Sequence, residues 1–254
     1  KFEFRALGSG QSAAYPATFL NLILAESLDY LSDKIEHLGG FTEANAQTVV
    51  SACLRQHKRV LFSGDNYTAE WAAEAKERGL LNRPTTPEAL QDWAMHSNVE
   101  LFEKYGVFSR SEAESRFHVQ VETYANKLKV EARACLDIAD TLVLPAATTH
   151  QLRIAKAASK VKELLGAEAA ASDLETLAGV TTRIAAARKA SANLRAKVHE
   201  LEHTEHDEAE AAALYCEQVV PLMTDLRTAV DALETTVDDD LWPLPKYREM
   251  LFVL

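Results

Sequence analysis

The sequence predicts a mainly α protein, in which a helical domain with one long antiparallel helical hairpin is preceded by a single β-strand. Helix-breaking residues are scarce, with nine glycines and seven prolines among 254 residues. Over most of the chain, apolar residues recur at intervals of three and four, which is the period of an amphipathic helix. Only the first few residues alternate with a period of two, as those of a half-buried strand do.

The predicted strand carries a carboxylate and a guanidinium on the same face. Phe2 and Phe4 alternate with Glu3 and Arg5, so the aromatic rings face one side and the charges face the other. Such a pair suits phosphoryl transfer, because a carboxylate binds Mg²⁺ or Mn²⁺ and a guanidinium grips phosphate or carboxylate oxygens. The alternative is a salt bridge on the surface of an edge strand, which the spacing alone favours.

Capping and stop signals place the helices in the first half of the chain. The predicted helices run from Tyr15 to about Leu38, from Thr42 to about Gln56, from Thr68 to Gly79 and onward from Thr86-Pro87. The short apolar run Val60-Leu61-Phe62 has no pattern that assigns it. Ser97 with Glu100, and Ser109 with Glu112, fit the capping-box pattern, so helices should begin just after these two serines.

The second half should contain one interrupted helix and the long hairpin. Helix is expected from about Arg110 to Leu144, with a bend or break at Pro145, and again over residues 146–165. The hairpin should span about residues 172–236, with Ser172 and Glu175 as a capping box. Each helix of the hairpin has a predicted apolar seam, and the second helix should kink near Pro221. The seam residues are Leu174, Leu177, Ile184, Leu194, Val198 and Leu201 on the first helix, and Tyr215, Val219, Leu222, Leu226, Val230 and Leu233 on the second. The polar residues 199–208 would be an exposed tip, so the hairpin should project as an arm.

Composition excludes several kinds of partner. The net charge of −11 and the pI of about 5.2 leave no basic field to bind nucleic acid or an anionic membrane. No run of about 18 apolar residues suggests a transmembrane helix. Cys53, Cys135 and Cys216 are odd in number and far apart, which indicates free buried thiols and hence a cytoplasmic location.

Four segments follow one another in an order that resembles a known enzyme family. They are Phe2–Arg5 with the loop Gly8–Ser12 and the helix opened by Tyr15-Pro16; Lys58–Trp71 with Glu74–Leu80; Glu100–Phe108; and Leu241–Tyr247. Together they resemble glutamine synthetases, most of all the type III class, and they span nearly the whole chain. The resemblance makes Phe2–Arg5 the last strand of the catalytic barrel.

The resemblance implies roles for two residues and a division into domains. Glu3 would ligate a metal ion, and Arg5 would contact the substrate and the transferring phosphate. Residues 1–38 would end the catalytic domain, and residues 41–254 would form the type III C-terminal helical domain. The whole enzyme would ligate ammonia to glutamate with ATP and Mg²⁺ or Mn²⁺, as a ring-shaped homo-oligomer. We expect this chain to be the carboxy-terminal part of such an enzyme and inactive alone, because the other metal carboxylates and the nucleotide-binding strands precede the motif in the family.

Two other functions fit parts of the sequence. The helical region could be an assembly module whose apolar seams and arm contact neighbouring subunits. The run from His199 to His203 matches the HExxH pattern of zinc hydrolases, with Glu200 as a possible base, and His206 could complete an adventitious surface site for zinc or nickel. Six acidic residues lie between Glu200 and Glu210, so a solvated helix end is the favoured interpretation, and weak surface metal binding the next.

Overall fold

A computed structural model describes residues 10–251, apart from the side chain of Tyr247, and this part of the chain is helical. The predicted mainly α class is confirmed. The α-helices are α1 (Ala14–His37), α2 (Glu43–Gln56), α3 (Ala69–Glu77), α4 (Thr86–Gln91), α5 (His96–Lys104), α6 (Arg110–Ile138), α7 (Leu144–Leu165), α8 (Ala171–Glu202), α9 (Glu208–Leu214), α10 (Val220–Glu234) and α11 (Tyr247–Leu251). The predicted strand, Phe2–Arg5, lies outside the described residues.

The chain divides into two compact units, each with its own core. The first unit comprises the residues up to Pro84 together with Gln91–Ser115, and the second comprises Thr85–Leu90 together with Arg116–Leu254. These units do not test the domain boundary predicted between residues 38 and 41, which stays a prediction. No helix within residues 10–251 is long and apolar enough to span a bilayer.

The core of the first unit joins α1 to α5. Leu22 of α1 lies with Val99 and Phe102 of α5 in one buried cluster. Phe19 and Trp93 pack against this cluster with their rings edge to face, 5.0 Å apart. Aromatic and aliphatic side chains therefore hold α1 on α5.

The unassigned run at residues 60–62 begins in a short 3₁₀ turn, Lys58–Val60, and continues as irregular chain that contacts α3 and the residue after it. The ring of Phe62 stacks on Trp71 at 3.9 Å, and the Arg78 guanidinium donates a hydrogen bond of 2.8 Å to the backbone oxygen of Leu61. These two contacts, with residues nine and 17 positions away, thus fix a segment that has no local periodicity.

Some predicted helix starts are confirmed. The hydroxyls of Thr42 and Thr68 accept hydrogen bonds from backbone N–H groups in the first turns of α2 and α3. At α6 the capping box is complete, because the Ser109 N–H donates to the Glu112 carboxylate at 2.8 Å and the Glu112 N–H donates back to the Ser109 hydroxyl at 3.4 Å.

The other two capping boxes do not form. Helix α5 already begins at His96, after the extended residue Met95, so Ser97 lies inside the helix. The 3₁₀ turn Asp92–Ala94 decides this start, because the side-chain amide of Asn98, in the first turn of α5, donates a hydrogen bond of 2.6 Å to the backbone oxygen of Asp92. Likewise α8 begins at Ala171 after the fully buried Ala170, and Ser172 lies within it. The preceding turn thus sets the start of α5, and packing around Ala170 accompanies the start of α8.

The second unit is a bundle of three long helical segments, namely α6 with α7, α8, and α9 with α10. Leu201 of α8 shares a cluster with Tyr215, and Val180 at the other end of α8 shares one with Leu233, so α8 and α9–α10 are antiparallel as predicted. Residues of α6, including Leu128, belong to the first of these clusters. The hairpin therefore packs along the long helix instead of projecting as an arm, and that expectation was wrong.

The buried seam of α8 has the spacing of a coiled coil. Its buried residues are Val180, Ile184, Ala187, Ser191, Leu194, Val198 and Leu201, which alternate intervals of four and three. The predicted seam residue Leu174 is exposed instead, because it precedes the part of α8 that is enclosed on both sides.

Two prolines place π-helical turns in the bundle. The turn Ala139–Val143 precedes Pro145, and the turn Tyr215–Val219 precedes Pro221. A proline has no N–H to donate, and its ring collides with the carbonyl four residues earlier, so the wider π turn relieves the clash. The predicted break at Pro145 and kink at Pro221 are thus local widenings of continuous helices.

Candidate functional site

The two predicted site residues, Glu3 and Arg5, lie outside the described residues. The first element that the structure describes after them is α1, which begins nine positions beyond Arg5. The contacts that hold α1 are therefore the described contacts nearest in sequence to the predicted site.

The amino-terminal end of α1 is held by aromatic rings. The rings of Tyr15 and Phe19 each pack edge to face with the Trp93 ring, with centroids 4.9 and 5.0 Å apart. Phe19 also lies 5.9 Å from Phe102 of α5. Edge-to-face pairs of this kind restrict the direction of approach as well as burying surface.

Two turns further along, a polar network holds the same helix on α5. The Lys104 ammonium donates a hydrogen bond of 2.5 Å to the Glu26 carboxylate, and it lies 3.9 Å from Asp29. The Tyr105 hydroxyl lies 2.8 Å from Glu26 and 2.7 Å from Asp29. Because a phenol has one proton, Tyr105 donates to one of these carboxylates at a time. We call these four residues the α1–α5 network.

The hydrogen bonds of the α1–α5 network favour the charged forms of Glu26 and Lys104 and the neutral form of Tyr105. The hydrogen bond from Lys104, and then that from Tyr105, lowers the pKa of Glu26. The same bond to Glu26 raises the pKa of Lys104. Desolvation, with the hydrogen bonds to Asp29 and Glu26, raises the pKa of Tyr105 to about 12. At neutral pH the Glu26 carboxylate and the Lys104 ammonium are therefore charged, and the Tyr105 phenol is neutral.

The opposite face of α1 is apolar and exposed. It consists of Leu20, Ile23, Leu24 and Leu28, and the last three expose more than half of their surface. Helix α1 therefore has apolar residues on two faces, of which only the one carrying Phe19 and Leu22 is buried within the first unit.

The three histidines near the hairpin tip form pairs among themselves and with acidic residues. The rings of His199 and His203 stack at 4.0 Å, and His203 Nδ1 lies 2.8 Å from the backbone oxygen of His199. His206 Nδ1 lies 3.4 Å from Glu210. Glu200, the base in the hydrolase hypothesis, is paired with Lys197 at 2.7 Å. This arrangement gives the HExxH match no support.

In two clefts of the second unit, acidic and basic side chains of the lining are paired with each other. One of about 280 Å³ beside the π turn before Pro145 is lined in part by Arg195 and Asp140, which are ion-paired with each other. Another of about 310 Å³ is lined in part by Lys246 and Asp239, which are paired at 2.9 Å. Among residues 10–251 no group of three or more histidine, cysteine, aspartate or glutamate side chains is arranged to hold a metal ion.

Sequence reasoning did not find the α1–α5 network. Lys104 and Tyr105 lie in one of the segments that carry the family resemblance, but nothing in the sequence pairs them with residues more than 70 positions earlier. The three cysteines are free as predicted, although each is only partly buried.

Comparison with known proteins identifies relatives of this helical chain. The sequence model described as the glutamine synthetase C-terminal domain matches residues 45–162, from within α2 to within α7. A type-3 glutamine synthetase of Dictyostelium discoideum is 35% identical over all of this chain, which covers 35% of that relative. A glutamine synthetase of Bacteroides fragilis is 29% identical over 99% of the chain, and one of Butyrivibrio fibrisolvens is 28% identical over 94%.

Residues 45–162 are thus similar to the glutamine synthetase C-terminal domain, and the whole chain is similar to glutamine synthetases. The predicted resemblance to the type III class is confirmed. The chain spans about a third of the length of the curated relatives that it matches.

Proposed function

We propose that this chain is part of an ATP-dependent glutamate–ammonia ligase. In this reaction ATP phosphorylates the side-chain carboxylate of glutamate, and ammonia then displaces phosphate from the acyl phosphate. The observation that carries the proposal is the similarity along the entire chain to proteins named glutamine synthetase. The relatives' remaining length, about two thirds, would supply the rest of the catalytic site.

Two residues of this chain would act in the reaction. Glu3 would hold Mg²⁺ or Mn²⁺, which neutralises phosphate charge when bound. Arg5 would bind the substrate carboxylate or the transferring phosphoryl group through its planar pair of donors. The 254 residues alone should form no glutamine, since a single strand does not bind ATP.

The exposed apolar face of α1 supports the proposed division into domains. If residues 1–38 belong to the catalytic domain and residues 41–254 to the helical domain, α1 needs one face for each. One face packs on α5, and the other presents Ile23, Leu24 and Leu28 to solvent in this chain. A row of large exposed side chains on one helix is typical of a surface that another part of a protein covers.

The test is substitution of both residues in the ligase that carries this chain. Glu3→Ala and Arg5→Ala should each lower kcat by about 100-fold or more, the usual effect of removing a group that stabilises transition-state charge. Glu3→Ala should also raise the Mg²⁺ concentration needed for half-maximal rate. Exposed residues of the same types provide the controls Glu175→Ala and Arg227→Ala, which should keep normal rates. Full activity of both site variants would refute the proposed roles.

Assembly into a homo-oligomer is the second candidate role for the helical region. The apolar seams on which that idea rested are buried between α6, α8 and α10 within one chain, so they do not favour it. Deleting about Asp173 to Thr236 from the ligase discriminates, because a helical region that builds the ring would leave smaller particles in light scattering. An unchanged particle mass would reject the assembly role.

The proposed surroundings of the ligase follow from charge and cysteine usage. The net charge of −11 disfavours binding to nucleic acid and to anionic membranes. Three free cysteines fit a reducing, cytoplasmic compartment. The partners would then be glutamate, ammonia, ATP and further copies of the same chain.

A further inference from the structure

A third cleft of the second unit, of about 240 Å³, lies among α6, the end of α8 and α9, and we call it the α6–α9 cleft. Tyr215 lines this cleft, although it exposes only 5% of its surface. Burial raises the pKa of Tyr215, so its hydroxyl keeps its proton at neutral pH. Within residues 10–251 this hydroxyl makes no hydrogen bond. A buried hydroxyl without a partner is unfavourable, so a molecule in the cleft is the expected partner.

Basic side chains dominate the end of the α6–α9 cleft at which Tyr215 lies. Glu202 lies 2.7 Å from the Arg133 guanidinium and 3.4 Å from the Lys129 ammonium. After burial itself, the charge of Glu202 raises the pKa of Tyr215 and that of Arg133 lowers it, so these groups lie close together. Two cations against one carboxylate leave this end positive, and the Lys129 ammonium has donors to spare. A ligand carboxylate here would accept hydrogen bonds from Tyr215 and Lys129.

The other end of the α6–α9 cleft is acidic. Glu122 of α6 and Glu208 of α9 both line it. His118 lies one turn before Glu122 on α6, and its Nδ1 is 2.7 Å from the Glu208 carboxylate, so the two carboxylates lie at the same end. Within the described part of the chain Glu122 has no ion pair. A ligand with a primary ammonium group would therefore find acceptors at this end.

The middle of the α6–α9 cleft is lined by small apolar side chains. Ala125 of α6 and Ala211 of α9 each lie one turn beyond the acidic end. Helix α6 advances about 10 Å over the seven residues from Glu122 to Lys129, at 1.5 Å per residue. A complementary ligand therefore carries opposite charges at the two ends of a short aliphatic chain.

We propose that the α6–α9 cleft binds a small zwitterion, namely an aliphatic amino carboxylate whose ammonium and carboxylate groups are separated by a short methylene chain. The carboxylate accepts hydrogen bonds from Tyr215 and Lys129, and the ammonium pairs with Glu122 and Glu208. The methylene chain lies against the two alanines. Binding of this kind does not require the proposed ligase activity.

Isothermal titration calorimetry of the 254-residue chain with 5-aminopentanoate tests the site. We expect saturable binding with a Kd of about 1 mM or tighter, the range for so small a ligand. Pentanoate lacks the ammonium and pentylamine lacks the carboxylate, so each should bind about tenfold more weakly or worse. Absence of saturable binding would mean that the cleft holds only water and would overturn the proposal. Equally tight binding of pentylamine would also overturn it, since the cleft would then recognise a cation alone.

Substitutions at the two ends test which groups bind the zwitterion. Tyr215→Phe removes a hydrogen bond at the basic end, and Glu122→Gln removes a charge at the acidic end, so each should raise Kd about threefold to tenfold. Tyr124→Phe changes a neighbouring tyrosine whose hydroxyl is hydrogen-bonded with Cys216, and Glu175→Gln changes an exposed carboxylate of α8. Both controls should keep the original Kd. An unchanged Kd for either Tyr215→Phe or Glu122→Gln would reject the site.

Thermal unfolding separates a hydroxyl that binds ligand from one that stabilises the fold. Without ligand, Tyr215→Phe should leave the melting temperature unchanged or raise it, because its hydroxyl has no partner within residues 10–251. Tyr124→Phe should lower it, since that variant loses the hydrogen bond with Cys216. Added 5-aminopentanoate should raise the melting temperature of the original chain more than that of Tyr215→Phe. A lower melting temperature for ligand-free Tyr215→Phe would show that the hydroxyl is bonded within the chain, which contradicts the proposal.

Discussion

Glu202 is a carboxylate at the end of α8 whose surroundings hold it ionised. It lies 2.7 Å from the Arg133 guanidinium and 3.4 Å from the Lys129 ammonium, both on α6. Burial tends to raise the pKa of Glu202, but the hydrogen bond from Arg133 and the charge of Lys129 outweigh it and lower the pKa. A lowered pKa means that the pair stabilises the fold above the ordinary glutamate range and that this contribution is lost as the pH falls through the lowered value.

Glu202→Gln should reduce the free energy of unfolding by about 1 kcal/mol at pH 7, a modest value because Arg133 is more than half exposed. Urea unfolding measures the difference from the original chain, which should shrink as the pH falls through the lowered pKa of Glu202 and the carboxylate becomes protonated. Glu200→Gln is the matched control, since the exposed pair of Glu200 with Lys197 should contribute less than about 0.5 kcal/mol. An effect of Glu202→Gln that persists unchanged at pH 2.5 would show that charge is not its cause.

The same capping-box pattern forms its hydrogen bonds at the start of α6 but not at the start of α5. Ser109 and Glu112 exchange hydrogen bonds at the start of α6. Ser97 and Glu100 have the same spacing, but α5 begins before Ser97, and Glu100 lies 3.0 Å from His96 instead. A capping box operates only where the preceding chain is free to be extended at the serine.

Ser109→Ala should destabilise the chain by about 1 kcal/mol, the usual cost of losing a helix cap. Ser97→Ala should change the free energy of unfolding by less than about 0.5 kcal/mol, as for exposed positions without such a role. Both values come from chemical unfolding at pH 7. Equal losses for the two variants would contradict the difference in capping that the structure shows.

In the molecule as a whole, α1 is an element whose packing is incomplete. Its inner face belongs to the core of the first unit, and its outer face leaves Ile23, Leu24 and Leu28 exposed. The relatives are about three times as long as this chain. In the proposed ligase, the catalytic domain would cover that outer face.

Leu24→Glu should therefore have different consequences in two contexts. In the 254-residue chain the side chain is exposed, so the free energy of unfolding should change by less than about 0.5 kcal/mol. In the ligase the same change would bury a carboxylate without a partner, which should cost about 2 kcal/mol or more and lower activity. Leu165→Glu, at another exposed leucine, should be tolerated in both. Tolerance of Leu24→Glu in the ligase would reject the covered face.

The element types and most boundaries could be predicted because they depend on residues close in sequence. Thr42, Thr68 and Ser109 cap the helices that their patterns indicate, and Gly166 ends α7 with a positive φ of 92°. The seam of α8 was predicted in part, because Ile184, Leu194, Val198 and Leu201 are large and apolar. Ala187 and Ser191 complete the seam, but small residues give no apolar signal.

Local chemistry in the sequence was enough to establish the helical class, the hairpin and the resemblance to type III glutamine synthetases. Propensity, capping and motif order all act over short stretches. Only the tertiary structure decided that the hairpin packs along α6 and α7, and that Lys104 and Tyr105 meet Glu26 and Asp29. These features join residues tens of positions apart, and side-chain contacts at such separations depend on how whole helices pack, which no local pattern encodes.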